Sequence, residues 1–338
     1  MRNKIFIPLL LVVMAIGAII AGVSFTNNSI DEQLPSKAFP EIGAPTTVIN
    51  ITLGAGMALP VIPDKIMVYK VKKPEVTAEK VTALAETLGL IGDVSEDANR
   101  CIVKHDSLEL EVLKASGRLF YRDSSKIYGD INNPPNLPLK ETAIKSAKKF
   151  LSDNGLMPAD AEFSKVVTDT AEIARKDPAT GDVSTEKIDL VMQVIFDRKI
   201  NGFPVVGAGS KLKVYIGNNG DVVGVYKCWR EYEPYKQFTI LTPSQALERL
   251  REKGIHRVIT GEEVKVKEVY LAYYAEPSPE DQEYFQPVYV FEVDIGRGEI
   301  VEEYIPAIPE IEPKISEKPQ PQLPERTKPA PDELEDDE

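Results

Sequence analysis

Arg2 and Lys4 precede an uncharged run over residues 5–25, and nothing else in the 338 residues constrains the chain as tightly. These 21 residues, wound as a helix, span roughly 30 Å, the thickness of a bilayer core. The basic flank predicts a cytoplasmic short side. The first charges beyond the run, Asp31 and Glu32, are acidic, so the bulk of the chain is expected outside the cytoplasm. Two readings compete. A signal peptide carries a run of about 7–15 apolar residues and a small-residue cleavage site, which residues 18–21 or 22–24 could supply. A retained anchor needs a run near the length seen here, and the length favours it. A single-pass membrane protein is therefore expected, with a secreted one as the alternative.

The formal charge is −13, and residues 309–338, with ten acidic and four basic side chains, account for −6 of it. About half of the acidity thus belongs to a tail. The remainder is still acidic and repels phosphate backbones, which argues against nucleic-acid binding. The two cysteines, Cys101 and Cys228, and the two histidines, His105 and His256, lack the spacing of a zinc site. After export the two cysteines are candidates for one disulfide.

Between the ends, period-2 and helical patterns alternate. Residues 26–47 read as a polar linker. A first α+β region is expected over 48–130. It has strands at 48–52 and 65–71, and a helix over 78–88 capped by Thr77 and stopped by Gly89. Three strands follow, at 100–104, 107–113 and 118–122. Asn132, Asn133, Pro134, Pro135 and Asn136 break the pattern. A helix over 140–154 then presents Ala143, Ala147, Phe150 and Leu151 on one face. A long hairpin is expected, with arms 164–174 and 187–198 about a turn at 177–182. Strands 211–216 and 221–229 are joined by a tight Gly217–Asn–Asn–Gly220 turn. Thr242, Pro243 and Gln245 spell a helix start. That helix runs to 253, and strands at 264–274, 287–295 and 299–304 follow it. The regions 137–235 and 236–305 read as two successive modules. From 306 to 338 Pro is frequent, periodicity vanishes, and a disordered acidic tail is expected. The fold class is α+β: tandem modules of a helix packed on an antiparallel sheet.

Residues 201–225 are the most distinctive stretch. A strand ends in a basic residue, then come Gly202, Phe203, Pro204 and Val205, a small-residue turn through Gly207, an alternating strand, an Asn/Gly/Asp turn and a last strand. This order, behind a helix, resembles the PepSY and thermolysin-type propeptide domains, and equally the extracytoplasmic regulatory proteins of the YycH/YycI type. The resemblance covers roughly residues 137–304. It implies a non-enzymatic role: inhibiting or chaperoning a peptidase, or modulating a membrane sensor. Thermolysin-type propeptides precede a His-Glu-x-x-His peptidase, which this chain lacks. A regulated peptidase would therefore be a separate polypeptide. Gly202, Pro204 and Gly207 also have a plainer explanation as turn residues.

Sequence motifs identify no catalytic centre. There is no Gly-x-Ser-x-Gly elbow, no Walker A loop and no dinucleotide-binding glycine motif, and no cofactor is expected. Cys101 and His105 lie four residues apart, about 13 Å along a straight strand. The 177–182 loop lacks the alternating oxygen ligands of an EF-hand and reads as a turn. Tyr226, Trp229, Tyr232 and Tyr235 either form a peptide-binding edge with the Gly202–Val205 segment or pack the third helix onto the preceding module. The leading expectation is a protein that works by protein–protein contact through exposed sheet edges. A carboxylate-dependent hydrolase and a structural cell-envelope component are the alternatives.

Overall fold

The computed structural model describes residues 50–176, 183–255, 263–296 and 298–311, together with two short paired strands, Ile42–Gly43 (β1) and Ile315–Ser316 (β17). The apolar run 5–25, most of the 26–47 linker, the 177–182 turn, His256 and the tail beyond 316 lie outside the described residues. Among the described residues, no helix is long and apolar enough to cross a membrane.

Three α-helices form among the described residues, two of them from starts capped by a side chain. In Ala78–Thr87 (α1) the Thr77 hydroxyl accepts the amide of Lys80 at 3.3 Å. Lys140–Asp153 (α2) buries Ala143, Ala147 and Leu151 at i, i+4, i+8 spacing. Pro243–Lys253 (α3) starts with a complete capping box: the Thr242 hydroxyl takes the Gln245 amide while the Gln245 side chain takes the Thr242 amide.

Among the described residues the strands other than the β1–β17 pair make one large mixed sheet of fifteen members, so the chain is α+β. One part is an antiparallel run. In spatial order it is Val94–Glu96 (β4), Arg100–His105 (β5), Leu108–Leu113 (β6), Leu119–Asp123 (β7), Val222–Cys228 (β12), Lys211–Ile216 (β11), Val183–Ile200 (β9) and Ala161–Lys176 (β8). Helices α1 and α2 cover one of its faces, burying Val81, Ala85 and Leu151 against Val103, Leu110, Val194 and Val214. Full burial of each such aliphatic side chain contributes about 1.5–3 kcal/mol.

The other part comprises Asn50–Leu53 (β2), Lys65–Val71 (β3), Tyr232–Thr239 (β13), Glu263–Tyr274 (β14), Tyr284–Asp294 (β15) and Ile300–Pro306 (β16), with α3 against β16. Phe203–Val206 (β10) joins the parts. It leaves β9 through a two-residue turn and then runs parallel to β14, Val205 opposite Tyr273. Both turn residues, Asn201 and Gly202, have positive φ, +49° and +83°, as a type I′ hairpin requires.

Strand pairing redistributes the 48–130 region. β2 pairs with β14, and β3 with β13 and β15, whereas β4–β7 continue the sheet from β12. Besides the short β1, β4 and β17, two longer-range strands fall where no strand was expected: β10, which contains Pro204, and β13, which contains Pro234 and is mostly exposed. A proline lacks a ladder donor, so neither reads as a strand locally. The packed body also extends past 305. Ala307, Ile308 and Ile311 are buried, and Arg249 of α3 donates to the carbonyls of Pro309 and Ile311 at 2.5 and 3.0 Å.

The candidate disulfide is corrected. Cys101 and Cys228 are both buried free thiols. Register places Cys101, Val112, Leu119 and Lys227 in one row across β5, β6, β7 and β12. Cys228, the next residue, therefore points to the opposite face of the sheet. Three interstrand steps also separate the two strands by about 14 Å, twice the reach of a disulfide.

Candidate functional site

A cleft of about 770 Å³ is lined by residues of β9, β10 and β14, which are successive neighbours in the sheet. Its walls include Phe163 and Ser164 of β8, Arg198 and Lys199 of β9, Pro204 and Val205 of β10, Tyr270 and Tyr274 of β14, and Glu302 and Tyr304 of β16. Among the described residues β8 pairs only with β9 and β16 only with β15. Two open sheet edges therefore flank one concave, aromatic surface.

Alternation along β14, β15 and β16 produces that surface. Tyr270, Val290 and Tyr304 form one cross-strand row, and Glu268, Glu292 and Glu302 form the row beside it. The other face of the same strands, with Leu271, Tyr289 and Ile305, is buried. Tyr274 and Tyr304 meet edge-on at 5.5 Å, and the Tyr304 hydroxyl donates to Glu302. Burial, then the charges of Glu302, Glu292 and Glu268, pushes Tyr270 up to about 12. Burial, then Glu276, takes Tyr274 to about 12. Burial, then the bond to Glu302, raises Tyr304 as well. All three remain neutral phenols at physiological pH and can donate hydrogen bonds. Burial, then Glu268 and Glu302, raises the Glu292 carboxyl, the expected effect of like charges placed side by side on neighbouring strands.

Arg198 anchors the cleft's inner wall and is 4% exposed. Its Nε donates to Asp160 at 2.7 Å, and its Nη1 to the Arg230 carbonyl at 2.7 Å. The guanidinium lies 4.7 Å from the Tyr232 ring centroid, 5.0 Å from Trp229 and 5.6 Å from Phe285. Trp229 donates to the other Asp160 oxygen at 2.8 Å. This buried cation among rings ties β9, β13 and β15 together. Next in the chain to the lining residue Ala208, Gly209 has no room for a side chain: a Cβ there would stand 1.6 Å from the Glu276 carbonyl oxygen.

Of the residues singled out in the sequence, Pro204 and Val205 line the cleft and Gly202 makes the turn below it. Phe203 does not line it; its ring packs edge-on against Tyr273 at 6.3 Å. Trp229 sits in the Arg198 cluster. Tyr226 is elsewhere, on the sheet face opposite α1 and α2. There it meets Phe120 at 5.9 Å beneath Arg118, beside a charge ladder of Arg100, Glu111, Arg122 and Glu109. The sequence reading missed Phe163, Arg198 and Tyr304. The spacing of Tyr270 and Tyr274, which puts both on one face of a strand, was the available signal. Among the described residues no three His, Cys, Asp or Glu side chains are grouped to hold a metal ion.

No family model and no curated protein matches the chain. A solved structure of an uncharacterized protein from Eubacterium rectale ATCC 33656 is 12% identical, over 77% of this chain and 88% of that one, with a TM-score of 0.44. A likeness of that size supports no inference about this chain.

Proposed function

We propose that the protein is an extracytoplasmic module of the PepSY/YycI kind, tethered by residues 5–25, that regulates a peptidase or a membrane sensor by binding it. One observation carries this reading: the aromatic cleft is lined by residues 162–164 of β8, a strand that among the described residues is paired on one side only. A strand paired on one side only offers a row of backbone donors and acceptors. An extended partner segment adding to that edge at residues 162–164 sets alternate side chains over Phe163, Tyr270 and Tyr304. Backbone pairing supplies affinity, and the ring-lined cleft supplies selectivity. The tyrosine hydroxyls and the Glu302 row favour polar or basic partner side chains.

The test is photo-crosslinking in native membranes. A photoreactive residue is placed at Phe163 in the full-length chain and, as a control, at Ile91, which is 76% exposed and not part of the cleft lining. The proposal expects one peptidase or sensor to be captured from position 163 and not from 91, with capture lost when Tyr304 and Tyr270 are both changed to Ala. Equal labelling from the two positions, or capture indifferent to the tyrosines, refutes it.

A further inference from the structure

A second cleft, of about 400 Å³, is lined by Lys70, Glu276, Gln282, Tyr284 and Gln286 among others, and shares no lining residue with the first. Gln286 sets it apart. Residues 284–291 of β15 are all buried and read Tyr-Phe-Gln-Pro-Val-Tyr-Val-Phe. One carboxamide thus stands in a run of aromatic and aliphatic side chains. It is 1% exposed, and neither its oxygen nor its nitrogen has a hydrogen-bond partner. The neighbouring Gln282 is the opposite case. Its nitrogen donates to the Tyr274 and Tyr284 carbonyls at 2.8 and 2.9 Å, and its oxygen accepts the Glu276 amide at 3.1 Å. One glutamine is fully used in holding the wall, and the other is idle.

An idle buried amide is costly, and a Leu or Met of the same size would suit this strand better for stability alone. Places where a chain breaks a packing rule without local compensation are where function is found. We propose that the second cleft binds a peptide-like amide. The ligand's carbonyl would accept from Gln286 Nε2, and its N–H would donate to Gln286 Oε1. This two-bond match is one that water or an apolar ligand reproduces poorly. Each Gln286 amide atom is less than 1 Å² exposed, so binding requires the side chain to turn toward the cleft. Lys70, Lys73, Asp281 and Glu283 bring both signs of charge to the lining, which suits a peptide's charged groups. The volume is at the small end of ligand sites, enough for a residue or two. This inference does not depend on the cleft beside β8.

The experiment uses the full-length chain in detergent micelles, labelled with ¹⁵N only in glutamine side chains. The Gln286 amide signal is assigned by its loss in Gln286→Leu. Acetyl-alanyl-alanine amide is titrated in one arm and free glutamine in another. A saturable shift of the Gln286 signal, with the Gln282 signal unmoved, is expected. Gln286→Leu should remain folded and bind at least about tenfold more weakly by calorimetry, having lost both hydrogen bonds. A response to the dipeptide alone identifies polypeptide as the source of the amide, and a response to glutamine alone identifies a free carboxamide. If the Gln286 signal stays in place with both compounds at millimolar concentration, or Gln286→Leu binds as well as the parent, the inference falls. Should that variant fail to fold, Gln286→Met provides the assignment and the parent's titration decides alone.

Discussion

The contact between α3 and β16 allows a sharp test of how this body is held together. Lys253 Nζ lies 2.6 Å from Glu303 Oε2, with side chains 3% and 10% exposed, and 3.4 Å from the Tyr304 carbonyl. At that distance and an effective dielectric of 20 the attraction is about 6 kcal/mol. Removing each ion from water costs several kcal/mol, so the pair as a whole contributes little net stability. Burial, opposed by Glu303, lowers the Lys253 pKa, which shows desolvation outweighing attraction. Removing one partner leaves the other charge buried and alone. Glu303→Leu and Lys253→Met should therefore each cost about 3–5 kcal/mol, whereas the double variant should fall within about 1 kcal/mol of the parent or exceed it. Urea unfolding followed by Trp229, the only tryptophan, measures all four corners of the cycle. Because the folded pKa of Lys253 lies below its unfolded value, the parent should gain stability as pH rises through the interval between them, and Lys253→Met should not. Single variants costing less than about 1 kcal/mol, or a double variant costing the sum of the two, would refute the argument.

Three further outcomes are expected. Burial raises the Asp123 carboxyl, but bonds from Ser125, Ser107 and Lys126 outweigh it and hold the group at about 2, against an ordinary 3.8. The resulting stability, about 2 kcal/mol, is present at neutral pH and lost as pH falls from about 4 to about 2. Asp123→Asn should therefore destabilise at pH 7 and be indistinguishable from the parent at pH 2 in denaturation titrations. Gly209→Ala should prevent folding or cost more than about 3 kcal/mol by calorimetry, since backbone blocks its Cβ; Gly155→Ala, at φ +65° with no atom within 4 Å of the added Cβ, should cost only about 1–2 kcal/mol. Neither Cys101 nor Cys228 should react with a thiol reagent until the protein is unfolded, when both should, and intact mass should show no bridge; a native-state disulfide would overturn the register assigned to β5–β7 and β12.

Local chemistry was legible in the sequence. The Thr77 cap and the Thr242 capping box, the glycines that end α1 and α2, and the alternation of β3, β9 and β11 all act within a few residues, so their patterns announce them. Gly202 was read only as one of several candidate turn residues, and the two-residue turn it makes with Asn201 came from the structure. Hairpin partners were legible, as the pairings of β8 with β9 and β11 with β12 show, but partnership between strands far apart in sequence was not. β2 meets β14 by pairing Asn50 with Glu263, and β3 meets β13 by pairing Lys65 with Thr239. No turn residue encodes contacts over such separations. β10 and β13 were hidden because their prolines argue against a strand locally, although the assembled sheet holds them. The cleft depends on those pairings: Phe163 and Arg198 come from the two arms of one hairpin, but Tyr270 and Tyr304 join them from strands that are neighbours only in space. The idle amide of Gln286 has no sequence signature either, because whether a buried polar group has a partner depends on what the rest of the chain brings to it. The sequence by itself determined where the chain is helical, where most of it is extended and where it turns, through interactions within a few residues. Only the tertiary structure decided which strands share a sheet and which side chains face a common cavity, because those depend on long-range burial and on pairing the backbone groups that each strand leaves open.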